Sequence, residues 1–267
     1  MNHMKKIFSL AVAAVLISAP ASGQDDAELA RKLANPVASL ISVPLQANYD
    51  SNIGADEEGS VWRINIQPVI PFRLTENWNL ISRTILPIID QKDVPVTGSG
   101  ASGIGDIVQS FFFSPAKPTS RGVIWGVGPV LLIPSASDAA LGGEKFGIGP
   151  SFVALKQNGR WTFGVLANHI ISVAGESERS DINATFVQPF ISYITSTKTT
   201  FSLSTEATFD WENDVSSVPI NVNVAQLLKA GSQILQLGVG ARYWAESPDG
   251  GPQNLGARVQ LVLLFPK

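Results

Sequence analysis

The chain has 267 residues, of which only 15% are charged and 45% hydrophobic, with a formal net charge of −3. Ordinary globular domains carry about 25% charge, so a fully hydrated surface is excluded. The acidic balance and two His leave no nucleic-acid footprint, and the absence of Cys excludes a disulfide scaffold, a thiolate metal site and a lipid-modified N-terminal cysteine.

Residues 1–23 read as a secretory signal peptide: Lys5 and Lys6, an apolar run from Ile7 to Ile17, then Ala19-Pro20-Ala21-Ser22-Gly23, with cleavage expected after Gly23 or Ala21. Export leaves 19 − 2 = 17 basic residues against 22 acids, a net of −5. Residues 24–36 form a second unit. Within it, Asp25 to Leu33 reads as a short helix with acids at its start and Arg31 and Lys32 at its end, stopped by Asn35-Pro36 and expected as a periplasmic lead-in rather than a plug.

From residue 37 to 267 the period changes to two. Ile41, Val43, Leu45, Ala47 and Tyr49 oppose Ser42, Gln46, Asn48 and Asp50, and Trp62, Ile64, Ile66, Ile70 and Phe72 oppose Arg63, Asn65, Gln67 and Arg73. The same alternation runs through 201–211 and 254–265. It predicts strands with one apolar and one polar face. Past residue 20 no run of about 18 apolar residues occurs, so a helical span is excluded for this part. Twelve strands are expected, at 39–50, 60–73, 78–90, 105–114, 122–134, 146–157, 160–173, 182–195, 199–211, 218–228, 233–245 and 254–265. The inward faces of 105–114, with Phe111-Phe112-Phe113, and of 182–195 stay open. Short turns such as Asn158-Gly159 alternate with longer loops, the asymmetry of an all-β, up-and-down antiparallel outer-membrane barrel with both chain ends on the periplasmic side.

Charge sorts by end. Fifteen of the 22 acids fall at the long loops and strand tops, including Asp56, Glu57, Glu58, Glu176, Glu178 and Asp181. Arg73, Lys117, Arg121, Lys156, Arg160, Lys198, Lys229 and Lys267 fall at the short turns. Membrane-interface aromatics are expected at both ends: Trp78, Trp125 and Trp161 near the short turns, Trp62, Trp211 and Trp244 near the long loops. Phe265 stands as the terminal-strand aromatic that barrel insertion uses, although Pro266-Lys267 follow it.

Parity sends Arg63, Asn65, Gln67, Arg83, Glu206, Asp210, Asn221, Asn223, Gln236, Arg242, Arg258 and Gln260 inward as lumen- or pore-lining residues. They read either as paired charges filling a narrow barrel or as a constriction that orders a solute; the arginine excess leans toward anionic or aromatic-acid cargo. A twelve-stranded barrel lies between those filled by side chains and those that leave an aqueous channel.

The stretch 33–46 (Leu33-Ala34-Asn35-Pro36 onward), the Asn65-Ile66-Gln67-Pro68-Val69-Ile70-Pro71 strand, Gly103-Ile104-Gly105-Asp106-Ile107 and Gly126-Val127-Gly128-Pro129 resemble transporter-like outer-membrane proteins grouped with the MetA-like component of phenol degradation. The resemblance spans nearly all of the exported chain. It implies a barrel that moves small hydrophobic or aromatic compounds, and its motifs carry no catalytic residue.

Three other chemistries compete. Gly98-Ser99-Gly100-Ala101-Ser102-Gly103 matches the dinucleotide fingerprint, but a strand rather than a helix is expected after it, so a loop is the better reading. A barrel phospholipase would need a serine and a histidine together, whereas His169 and Ser172, three apart on a strand, point to opposite faces. Asp56-Glu57-Glu58 and Glu176 to Asp181 lack the spacing of a calcium loop. The expectation is therefore a Gram-negative outer-membrane channel or transporter for passive passage of small solutes, with no catalytic residue, metal or cofactor. A plugged structural or surface-interaction barrel is the alternative and a phospholipase a remote one. Expected partners are outer-membrane lipid and lipopolysaccharide, the solute, and periplasmic chaperones and barrel-insertion machinery during biogenesis.

Overall fold

The computed structural model describes residues 25–266; residues 1–24, which include the expected signal peptide at 1–23, and Lys267 lie outside the described residues. Helix α1 (Asp25–Leu33) precedes fifteen strand segments: β1 (Ile41–Ile53), β2 (Gly59–Ile66), β3 (Val69–Arg73), β4 (Trp78–Lys92), β5 (Gly100–Ile104), β6 (Ile107–Pro115), β7 (Val123–Ile133) and β8 (Lys145–Asn158). The second half continues with β9 (Trp161–Gly175), β10 (Asn183–Ile194), β11 (Thr199–Thr205), β12 (Ala207–Asp210), β13 (Val215–Ala230), β14 (Gln233–Glu246) and β15 (Leu255–Phe265). Three pairs of segments are single wall strands broken once, at Gln67-Pro68, at Gly105-Asp106 and at Glu206, which leaves twelve walls. Each pairs antiparallel with its neighbours. Ile41↔Phe265 through Tyr49↔Ala257 close the sheet on itself, so no edge strand remains.

Period-two alternation decides which residues meet which medium. Ile64, Phe72, Val127, Phe152, Phe163, Leu203, Val222 and Val239 are exposed on the outer wall. Water would not tolerate a continuous apolar belt of this extent on a monomer. Aromatic pairs mark its two rims: Trp78 edge-on to Trp125 and Trp161 against Tyr193 at the short turns, Tyr49 against Trp62 and Phe209 stacked with Trp211 at the long loops. Phe265 also faces outward.

The two faces left open resolve by burial. On β6, Ser110, Phe112 and Ser114 are buried inside while Phe113 is exposed. On β10, Phe186 and Phe190 pack inward, while Ile191 is exposed outside. The short-turn half of the interior is apolar, which is why phenylalanine sits on both faces of β6 and periodicity alone could not choose.

Helix α1 is not a free lead-in. Leu29 is buried with Ala38, Leu40, Leu227, Val262 and Leu264, with Leu33 packed alongside, and the last three are inward positions of β13 and β15. Val37 packs across the lumen against Ile81, Phe112, Val153, Leu155 and Leu166. Gln157 Nε2 donates to the Arg31 carbonyl at 2.8 Å, and Asn35 Oδ1 accepts from the Val37 amide at 3.0 Å to turn the chain. The segment thus fills the short-turn mouth of the barrel.

Candidate functional site: the lumen

Above that plug the interior becomes polar. Asn48 and Asp50 from β1, Arg63 from β2, Arg83 from β4, Glu206 from the β11–β12 break, Asn221 from β13, Arg242 from β14 and Arg258 from β15 share one belt. Its centre is a bidentate pair: Arg258 Nη1 and Nη2 donate to the two Glu206 oxygens at 3.0 and 2.9 Å, and Arg258 Nε donates to Asn48 Oδ1 at 2.7 Å. Arg258 is 4% exposed, so the matched fork satisfies a charge that burial alone would penalise. Arg242 lies 3.8 Å from Glu206 and 3.7 Å from Asp50, with its guanidinium 4.6 Å above the Trp244 ring.

Arg83 Nη2 donates to Gln67 Oε1 at 2.9 Å. Arg63 is solvent-exposed within the lumen, and among the described residues neither it nor Arg83 has a carboxylate within ion-pair distance. Four arginines therefore face two carboxylates, Asp50 and Glu206, an excess of 4 − 2 = 2 positive charges. Asn221, at 0% exposure, leaves both side-chain polar atoms without a hydrogen-bond partner beside this cluster. Between belt and plug lies a cavity of about 270 Å³, lined by Arg83, Glu206, Arg258, Gln67, Gln236 and Gln260 from the wall and by Lys32, Ala34 and Pro36 from below. Asn223 also borders it, and Asn65 lies on the same face through its register with Gln46.

Two predicted positions behave differently. Asp210 does not join the belt: its carboxylate accepts from the Glu212 and Asn213 amides at 3.0 and 3.2 Å, capping the turn where β12 ends. A side chain at a strand end is released from parity and satisfies the nearest free amides. Trp244 is not an interface aromatic; it lies on the Arg242 face and donates from Nε1 to Asp50 Oδ1 at 2.8 Å. That contact holds the carboxylate beside Arg242.

Residues 135–144, in the connection between the expected strands 122–134 and 146–157, fold against the inner wall. Asp106 accepts the Ser135 and Ala136 amides at 3.1 Å and the Gly143 amide at 2.7 Å, while Arg179 bonds the Ala139 and Gly142 carbonyls. A β-carbon at Gly103 or Gly105 would press on buried Leu141, so those glycines make room for the loop. Gly100 to Gly103 belong to strand β5, with strand β6 next, and no helix follows to hold a pyrophosphate.

His169 faces outward, Nδ1 2.9 Å from Thr185 Oγ1, which also accepts from Trp211 Nε1 at 2.8 Å. Ser172 instead donates to Asp181 at 3.0 Å. Serine and histidine are thus separated by the wall. No group of three His, Cys, Asp or Glu able to hold a metal occurs among the described residues.

No protein-family model and no curated protein matches the chain. Among solved structures it is similar to an outer membrane channel from Pseudomonas putida F1, at 13% identity and TM-score 0.65 over 85% of this chain and 96% of that one. Looser likenesses include the KdgM porin in complex with oligogalacturonate (11% identity, TM-score 0.45, 84% and 99% covered) and the Salmonella typhi outer membrane phospholipase dimer with bound calcium (12%, 0.48, 93% and 99%). At such identities the shared property is the barrel fold.

Proposed function

We propose that the chain is a passive outer-membrane channel for small solutes that favours anions, aromatic carboxylates among them, with its N-terminal segment as an internal plug. The carrying observation is the lumen belt, in which four arginines meet two carboxylates inside a wall whose outer face is apolar. Fixed positive charge at a narrow waist lowers the barrier for anions and raises it for cations. The fold shared with the Pseudomonas putida channel supports both the channel role and the outer-membrane location. The phenol-degradation kinship rests on the sequence motifs alone, and lipopolysaccharide, chaperones and insertion machinery remain expected partners on the strength of the barrel fold.

A second reading, a closed structural barrel with interacting loops, draws on the burial of Leu29, Ala30, Val37 and Ala38 in the mouth. One recording separates the two. In planar bilayers the channel reading expects chloride current with anion-over-cation reversal potentials, and liposome uptake of aromatic acids. Folded protein that carries no current and no uptake, even after removal of residues 25–36, refutes it in favour of the closed barrel.

A further inference from the structure

Every short turn of the barrel carries a base at or beside it, from Arg73 at the first to Lys229 at the last, and Glu76 is the one acid among those turns. The density is uneven. The consecutive hairpin ends β6–β7 and β8–β9 hold four cations, Lys117, Arg121, Lys156 and Arg160, all exposed, and no acid. Among the described residues none of the four has a carboxylate within ion-pair distance. Charges of one sign gathered on adjacent turns repel each other, so the cluster is relieved only by a counter-charge from outside the chain.

The register fixes the height of this cluster on the wall. Lys156 lies opposite Val123 on one side and Phe163 on the other, so the period of two puts it on the outer face with exposed Phe152 and Phe163. Trp125 lies opposite Ala154 and Trp161 opposite Asn158, which makes both tryptophans diagonal neighbours of Lys156, within reach of a long side chain. The lysine therefore stands in the aromatic rim itself. Its stem leans toward the β6–β7 turn: Cε lies 3.8 Å from where a β-carbon on Gly122 would stand, next to Arg121. Methylenes on the apolar wall with an ammonium carried toward water are the arrangement of a snorkelling lysine at headgroup depth.

Short turns of such barrels face the periplasm, where the leaflet is phospholipid. We infer that the β6–β9 rim is a binding site for an anionic phospholipid of that leaflet. Its phosphate lies between Lys156 and Arg121, with Lys117 and Arg160 flanking, and its acyl chains run along Val123, Trp125 and Phe163. The unpaired charge selects the head and the outer wall above it takes the chains. A zwitterionic lipid brings an ammonium of its own that the four cations repel, so the site favours a net negative headgroup. It lies on the outer wall and is independent of what the lumen carries.

The test uses the full chain in detergent micelles, loaded with an equimolar mixture of phosphatidylglycerol and phosphatidylethanolamine bearing the same acyl chains, with bound lipid counted by native mass spectrometry. Phosphatidylglycerol should be favoured in the first adduct by roughly tenfold. Arg121→Gln with Lys156→Gln should cut that preference roughly fivefold. Lys198→Gln with Lys229→Gln removes the same charge from another part of the rim and should leave the preference unchanged. Arg121→Lys with Lys156→Arg conserves the charge and should also leave it unchanged. Excess glycerol phosphate, which has the headgroup charge without the chains, should not displace the lipid. Equal binding of the two lipids by the unaltered protein would overturn the proposal and leave the cluster to a periplasmic polyanion. Equal losses in the two glutamine pairs would reduce the site to diffuse attraction, and displacement by glycerol phosphate would reassign it to a soluble phosphate; either overturns it, as does a loss in the charge-conserving pair. The lipid mixture and the glycerol phosphate competition need only the unaltered protein, so the proposal stays testable if the variants fold poorly.

Discussion

Replacing Glu206 by Gln keeps the shape of the side chain and removes its charge, so the effect reads the ion pair directly. Arg258 is 4% exposed and the Glu206 side chain 18%, and both bonds of the fork are 3.0 Å or shorter. Breaking a buried pair by removing one partner costs about 3–5 kcal/mol, because the survivor is left charged and desolvated. Lumen water reaching Glu206 puts this case at the low end, about 3 kcal/mol. With a guanidinium slope of roughly 4 kcal/mol per molar, the unfolding midpoint in micelles should fall by roughly 0.7 M. The double variant Glu206→Gln with Arg258→Gln should recover much of this loss, since no unpaired charge remains, giving a coupling of about 2 kcal/mol. The same Glu206 substitution raises the belt's excess from two to three positive charges and should steepen anion preference. A midpoint that moves by less than about 0.1 M, or a cycle that is simply additive, would refute the account of the belt as a paired, desolvated centre.

Leu29→Asp places a charge against Leu227, Val262 and Leu264 and should release the plug; open-state current should rise severalfold, and unchanged single-channel conductance would count against the plug. Arg63→Glu with Arg83→Glu turns the belt's excess from +2 to −2, so the reversal potential should change sign toward cations, and continued anion preference would locate selectivity elsewhere. In the long loops, the Lys145 ammonium, then the Ser172 hydroxyl, hold the Asp181 carboxyl below the usual carboxylate range. A depressed folded value means that the stabilisation is complete above the unfolded value of about 3.9 and is lost as pH falls through the folded one. Hydrogen exchange in residues 176–182, corrected for intrinsic rates, should therefore accelerate below about pH 4, and Asp181→Asn should show the fast regime at pH 7; equal protection at pH 3 and 6 would contradict it.

Much of the architecture is legible in the sequence because a barrel wall meets two different media and each residue must declare one. Tracts such as Ile41 to Tyr49 and Leu255 to Phe265 reveal both strand and inward face. The belt arginines follow from the same parity. Trp244 was also within reach: it is two residues from Arg242, hence on the same face, and its place near a strand end drew it wrongly into the aromatic rim. Asp210 fails for the opposite reason, since parity has no hold where the chain turns. The plug was hidden because Leu29, Ala30 and Leu33 declare an apolar helix face without naming what covers it, and their partners lie almost 200 residues or more away. The inward loop at 135–144 depends on Asp106 capping amides far along the chain, which leaves no local periodicity.

The plug also bears on how the molecule is assembled. Leu29 and Leu40 rest on Val262 and Leu264 of the last strand, while Val37 rests on β4 and β6 near the start. Residues 29–40 thus touch both sides of the junction where β1 meets β15, and that junction forms only once the entire wall has been made. Until then the helix has half a binding surface and no enclosure. Its burial therefore acts as a latch on completion: the segment that narrows the mouth is held firmly only in a barrel that has finished closing, so an incomplete wall is left both unlatched and unobstructed.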